Sequence, residues 1–298
     1  MDAKPWLTEL STEVKRLETF ADVLAVYVAK SPAFSHKHWI HVRRLEKDLG
    51  ECRLALLPQA LENYLLHKRT HDTVRGKPLS DASANRIVAV THAAYEKCLK
   101  LEYLHHNPIS DARFPKFELF PRDRVLTADE RDRLFRLLPR VAPHLEAICR
   151  YAYRVPSRTS ELVNARRDSL DMQRKDFWVP HGTTKSGKGI WKPIPPDMQD
   201  YFEAPPKSSP WIFYRLGRYG EPLNLGCFKK SWAKVLRAAG ITNFRFHDFR
   251  HIAVTNMINA GTPERIVMQI AGWKTPMFST YYARGGREAL GQIRWAHS

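Results

Sequence analysis

The segment "HHNPISDARFPKFELFPRDR", residues 105–124, carries three prolines and no apolar period. Proline lacks a backbone N–H and pushes the residue before it out of the helical region, so no helix runs through this stretch. The chain reads as helical on both sides of it. One continuous bundle is therefore excluded, and two bodies joined here are expected.

Before the joint, Val14, Leu17, Phe20, Leu24 and Tyr27 recur at helical spacing. "HKHWIHVRRLEKDLG" repeats the pattern and stops at Gly50, and "LLPQALENYLLHKRT" follows. "LSDASANRIVAVTHAAYEKCLKLEYL" opens on Ser/Asp capping chemistry and continues as a long amphipathic helix. After the joint, Thr127 and Glu130 form a capping box ahead of "RDRLFRLLPRV". "HLEAICRYAYRV" is a further apolar helix, and Ser157 is placed to cap the start of "SRTSELVNARR". Strand signals are confined to "KDFWVPHGTTKSGKGIWKPIP", where Phe177–Val179 and Ile190–Ile194 flank a Ser-Gly-Lys-Gly turn, a β-hairpin pattern. The expected fold is mostly α with a small β-sheet. Residues 1–112 form a helical domain, 113–125 the linker, 126–285 a mixed α+β domain and 286–298 a tail.

The charge is large and uneven. The chain carries a net +17. Residues 1–120 hold 18 basic and 15 acidic side chains, whereas residues 121–298 hold 30 and 16. A basic second half points to a polyanion, most simply nucleic acid, because each phosphate neutralised releases condensed counterions. No apolar stretch reaches the length of a membrane span, and "MDAKPWLTEL" has no apolar signal region, so no membrane partner and a cytoplasmic location are expected. Cys52, Cys98, Cys149 and Cys227 have no CxxC spacing, so neither a zinc site nor a disulfide framework is indicated.

The strongest chemistry lies in "FRFHDFRHIAVTNMINAG". His247 and Arg250 stand three apart at a helix start, which puts a proton donor or acceptor beside a bidentate oxyanion binder. Ile252, Val254, Met257 and Ile258 supply the buried side until Gly261. "GTPERIVMQIAGW" restarts with Thr262 as cap and Pro263 at the first helical position, and ends at Gly272 before Trp273. "KTPMFSTYYAR" repeats the device with Thr275 and Pro276, and Tyr282 stands nine residues beyond Trp273.

This arrangement resembles the catalytic core of the tyrosine recombinase (phage integrase) family. The family pattern is His-x-x-Arg-His, then a helix-turn-helix ending in Gly-His or Gly-Trp, then a tyrosine nine residues further on. "HDFRH" supplies His247 and Arg250, "AGW" supplies Trp273, and the tyrosine is Tyr282. "SRTSELVNAR" resembles the family's Arg-x-Ser-Glu-Leu box, which assigns Arg158 as the first arginine and Glu161 as a supporting residue. The hairpin tip "TTKSGKG" resembles the family's β-hairpin lysine, which points to Lys185, with Lys188 as the competing choice. The chain departs from the family at "RVPS", where a Thr-Gly-Leu turn usually precedes the arginine. The resemblance covers residues 125–285, and the first helices suit the family's core DNA-binding domain.

The resemblance implies a site-specific recombinase that cuts and rejoins DNA. Tyr282 attacks the scissile phosphorus and forms a 3′-phosphotyrosine, leaving a 5′-hydroxyl. Arg158 and Arg250 clamp the non-bridging oxygens, because guanidinium is planar, always charged and bidentate. Lys185 protonates the leaving oxygen, His247 moves a proton to or from the tyrosine, and Trp273 packs on the tyrosine helix. The implied partners are double-stranded DNA with an inverted-repeat core site and three further copies of the chain, a homo-tetramer on two duplexes. The tail "REALGQIRWAHS" would dock on a neighbouring copy. No cofactor and no metal is implied, in keeping with the lack of a Walker-type loop and of an acidic cluster in the sequence. Three alternatives stay open: a type IB topoisomerase sharing this chemistry, a helix-turn-helix DNA-binding protein without catalysis, and Tyr281 in place of Tyr282.

Overall fold

The computed structural model describes residues 17–31, 36–71, 77–111, 114, 117–119, 124–180, 189–204 and 209–273. The chain divides into two compact units, Met1–Phe120 and Pro121–Ser298, the boundary lying inside the proline-bearing segment.

The first unit is helical: α1 (Phe20–Ala29), α2 (His36–Leu49), α3 (Leu57–Thr70), α4 (Asp81–Lys100) and the short α5 (Pro108–Asp111). Helix α1 starts at a capping box in which Thr19 Oγ1 accepts from Asp22 N and the Asp22 carboxylate accepts from Thr19 N at 2.9 Å. Ser80 caps α4, the expected start. Phe20, Leu45, Leu61, Ile87 and Tyr95 fill one core between α1, α2, α3 and α4.

The second unit opens with α6 (Ala128–Val141), begun by the expected capping box of Thr127 and Glu130. It continues through α7 (Glu146–Arg154) and the one-turn α8 (Thr159–Val163) to a three-stranded antiparallel sheet. That sheet is β1 (Leu170–Asp171), β2 (Asp176–Val179) and β3 (Ile190–Pro193), in the order β1-β2-β3. The hairpin register pairs Phe177 with Lys192, Trp178 with Trp191 and Val179 with Ile190. Trp178 and Trp191 pair on the outer face, and Gly189 admits the Trp178 ring, which a Cβ there would meet at 1.9 Å. After α9 (Gln199–Glu203), strands β4 (Tyr214–Leu216) and β5 (Pro222–Asn224) form a second, two-stranded sheet. Neither these strands nor β1 belongs to the segment in which strands were expected. Helices α10 (Lys229–Ala238), α11 (Asp248–Asn259) and α12 (Glu264–Ala271) complete the described chain.

Two helix starts differ from expectation. Helix α8 is capped at Arg158 and not at Ser157, because the Glu161 carboxylate reaches back to accept the Arg158 backbone N–H at 2.9 Å. Helix α12 is capped at Pro263 and not at Thr262. Thr262 N–H instead donates to Met257 O at 2.9 Å and Gly261 N–H to Ile258 O at 2.8 Å, the double bond that closes the end of α11. Ile252 and Val254 are buried on α11 as expected, whereas Met257 and Ile258 are only half-buried.

Candidate active site

Five elements bring the site together: the turn before α8, β3, the start of α11, the end of α12 and Trp273. Phe249 anchors the start of α11, packed among Trp232, Phe244 and Phe246 at centroid distances of 5.2–5.7 Å. The Asp248 carboxylate accepts the Arg245 N–H at 2.8 Å and fixes the entry to that helix. Tyr151, fully buried on α7, donates its hydroxyl to Pro193 O at 2.9 Å and ties β3 to the core.

Arg158 and Arg250 come from segments far apart in sequence and meet at the end of α12. Arg158 Nη1 donates to Glu161 Oε1 at 2.6 Å and Nη2 to Gly272 O at 3.5 Å. Its side chain keeps 19% of its exposure. Arg250, nearly buried, donates from Nη2 to Ala271 O, and its guanidinium lies 5.4 Å from the Trp273 ring centroid. Gly272 ends α12 at φ 67°, in the left-handed region. A Cβ on that residue would meet Ile190 Cδ1 at 2.3 Å, so only glycine lets the helix end approach β3.

Glu161 is fully buried and paired with Arg158 and Lys192. Burial pushes its carboxyl up, but Lys192 and the bonds from Arg158 outweigh that and hold it below the usual carboxylate value. His247 directly precedes α11. Burial, then the nearby Arg250 charge, lowers its imidazole below the ordinary histidine value, with Asp248 opposing in part. It is therefore neutral at pH 7 and able to accept a proton.

Lys192 is the site residue absent from the expectations above. It is fully buried on β3, with Nζ 3.0 Å from Glu161 Oε2, 2.9 Å from Pro156 O and 2.7 Å from Ile270 O. Burial drives its ammonium down to about 8, against the pull of Glu161. A signal for it existed: Lys192 is in phase with Ile190 and Ile194, so strand alternation puts it on the core face. A lysine there needs a buried carboxylate.

Arg158 and Arg250 thus meet at the end of α12 beside Trp273, Glu161 is bonded to Arg158, and the His247 imidazole feels the charges of Arg250, Arg158 and Glu161. Lys185, Lys188, Tyr281 and Tyr282, the Thr275–Pro276 helix start and the 286–298 tail lie outside the described residues. Among the described residues no group of three or more His, Cys, Asp or Glu side chains is arranged to hold a metal ion. No described helix is long and apolar enough to cross a membrane. What remains is a positively charged cluster around one buried carboxylate, a setting suited to an oxyanion.

Comparison with known proteins follows the same line. Residues 124–286 match the model of the phage integrase family. The integrase of Salmonella phage P22 is 25% identical over 158 residues, which cover 50% of this chain and 41% of that protein. The chain spans less than half the length of the curated relatives it matches. Among solved structures, the Tn1549 transposon integrase (residues 82–397) in complex with circular intermediate DNA superposes with a TM-score of 0.69 at 17% identity, covering 92% of this chain and 98% of that one. A lambda integrase tetramer bound to a Holliday junction gives a TM-score of 0.68 at 17% identity, covering 93% and 83%. At that identity the superpositions speak for a shared fold, and the family match covers more than half of the chain. The chain belongs to the phage integrase family.

Proposed function

We propose that the chain is a site-specific DNA recombinase that cleaves and rejoins strands through a 3′-phosphotyrosine intermediate. One observation carries this reading. Arg158 and Arg250 converge on consecutive carbonyls at the end of α12, beside Trp273, nine residues ahead of Tyr282. Two fixed guanidinium groups next to a nucleophile-bearing segment suit a phosphoryl group whose oxygens gain charge as it is attacked.

In this reading the Tyr282 oxygen bonds to phosphorus, the bond to the 5′-oxygen breaks, and a 5′-hydroxyl is released. Neutral His247 takes the tyrosine proton, which the phenol holds up to a pH of about 10 unaided. Lys185 supplies the proton to the leaving oxygen. The hydroxyl of a partner strand then attacks the phosphotyrosine and restores a phosphodiester, so the bond energy is kept without a cofactor. Residues 1–112 act as the core DNA-binding domain and 126–285 as the catalytic domain. The substrate is double-stranded DNA with an inverted-repeat core site, handled in the cytoplasm at the nucleoid. Four protomers act on two duplexes, a number supported by the lambda integrase tetramer on its junction.

The test uses a duplex that the wild-type protein selects from a random-sequence pool, then nicked beside the cleavage position. Wild type should accumulate a covalent adduct that Tyr282→Phe lacks and Tyr281→Phe keeps. Adduct loss in Tyr281→Phe alone would move the nucleophile by one residue. Binding with no adduct would reduce the protein to a DNA binder, and relaxation of any supercoiled plasmid would favour the topoisomerase reading.

A further inference from the structure

The last carbonyls of α12 form a row, and each receives an N–H from a different cation. Lys192 binds Ile270 O at 2.7 Å, Arg250 binds Ala271 O, and Arg158 binds Gly272 O at 3.5 Å. These are carbonyls that a helix leaves without intrahelical partners, at the negative end of its dipole. Three cations drawn to one helix end also repel one another. Glu161, bonded to Arg158 and to Lys192, is the carboxylate that holds two of them together.

Lys192 differs from the two arginines in a way that decides its role. An ammonium has three N–H donors, and its three acceptors here are Glu161 Oε2, Pro156 O and Ile270 O. It is fully buried, so it reaches neither DNA nor a leaving oxygen, and it is not the general acid. Its acceptors define what it joins. Pro156 lies two residues before Arg158, Glu161 orients the Arg158 side chain, and Ile270 lies three residues before Trp273.

We infer that Lys192 is a positioning residue for strand cleavage. It bolts the turn carrying Arg158 to the end of α12, and so sets the arginine clamp relative to the segment that continues to Tyr282. This rests on the recombinase reading above. The competing idea is charge balance alone, in which Lys192 merely neutralises a buried Glu161.

The two ideas part on a chemical readout. Lys192→Met keeps the length and apolar stem but removes all three donors. Wild type and variant are compared for melting temperature, affinity for the selected duplex, and single-turnover adduct formation at saturating nicked duplex. The scissile group is either the normal phosphate or a methylphosphonate, which lacks one non-bridging charge. The expected result is affinity within about threefold and adduct formation slowed about 30- to 100-fold on the phosphate, the scale of a misplaced catalytic group. On the methylphosphonate the defect should shrink at least about fivefold, because a less charged centre asks less of two misplaced arginines.

An unchanged rate on the phosphate, or an equal defect on both substrates, overturns the inference. Should Lys192→Met be unfolded, Lys192→Met/Glu161→Gln leaves no carboxylate stranded against the apolar side chain and is read against Glu161→Gln alone by the same two-substrate ratio. Failure of both variants to fold makes the lysine structural and also overturns the inference. A wild type that forms no adduct overturns the recombinase reading itself, and this inference with it.

Discussion

In the first unit the described side chains that are both polar and buried are Thr91 and Asn107, whereas the second unit buries Glu161, Lys192, Asp248 and Arg250 beside Ser157 and Ser209. The neutral pair serves the backbone. Thr91 donates to Ile87 O at 3.1 Å inside α4, and Asn107 accepts the Ile109 N–H at 3.0 Å while donating to Glu96 at 2.8 Å. The charged group is another matter, because taking an ion out of water costs several kcal/mol before its partners repay any of it. Replacing a buried ion pair by apolar residues of equal volume is often neutral or stabilising. In the function proposed above these buried charges prepare for an anion, and the first unit, with no charged side chain buried among its described residues, is the contrast.

The largest expected effect that sharpens this contrast is at Arg158. Arg158→Ala should lower adduct formation at saturating DNA by about 10³-fold, the scale of losing one preorganised donor at a developing oxyanion. Its melting temperature should stay near that of the wild type, since Glu161 keeps Lys192. A large loss of stability with an intact cleavage rate would break the comparison. Leu61→Ala, in the first unit's core, should do the reverse. It should cost about 2–5 kcal/mol of unfolding free energy, read by denaturant titration, and leave cleavage by the folded, DNA-saturated protein unchanged.

A smaller effect concerns pH. His247 titrates below its ordinary value in the folded chain, chiefly through burial. The unfolded chain thus binds that proton first as pH falls. Stability from this group is whole above the unfolded histidine value, about 6.5, and is lost as pH drops from there through the folded value. The acid limb of adduct formation should likewise lie below that pH, and a limb above it would show that His247 is not the neutral acceptor. The smallest effect is at a helix start remote from the chemistry. Thr127→Ala removes the α6 cap and should cost about 1 kcal/mol in denaturant titration, with cleavage unaltered.

Particular residues show how far the sequence alone reaches. Arg158 and Trp273 were picked out by their resemblance to the tyrosine recombinase pattern, whereas the His247–Arg250 step was legible from residue type and spacing. So was the β2–β3 hairpin, from two apolar runs about a Gly-rich turn. Lys192 was half legible: its phase with Ile190 and Ile194 marks it as buried, but Glu161 as its partner appears only once the chain has folded. The carbonyl row at Ile270, Ala271 and Gly272 is backbone, and no side-chain pattern announces it. Strands β4 and β5 escaped because three-residue runs, one beginning at Pro222, carry no alternation to read. Thr262 looked like a cap for α12, yet the N–H groups of Ile266 and Val267 donate to Pro263 O, so the helix begins one residue later.

The most direct measurement is peptide mapping by mass spectrometry of the adduct trapped on the nicked, selected duplex. The expected result is a 3′-phosphoryl nucleotide linked to the Tyr282 oxygen, with a free 5′-hydroxyl on the released strand. A nucleotide on any other residue, a 5′-phosphoryl linkage, or DNA cleaved without any covalent peptide would contradict the account.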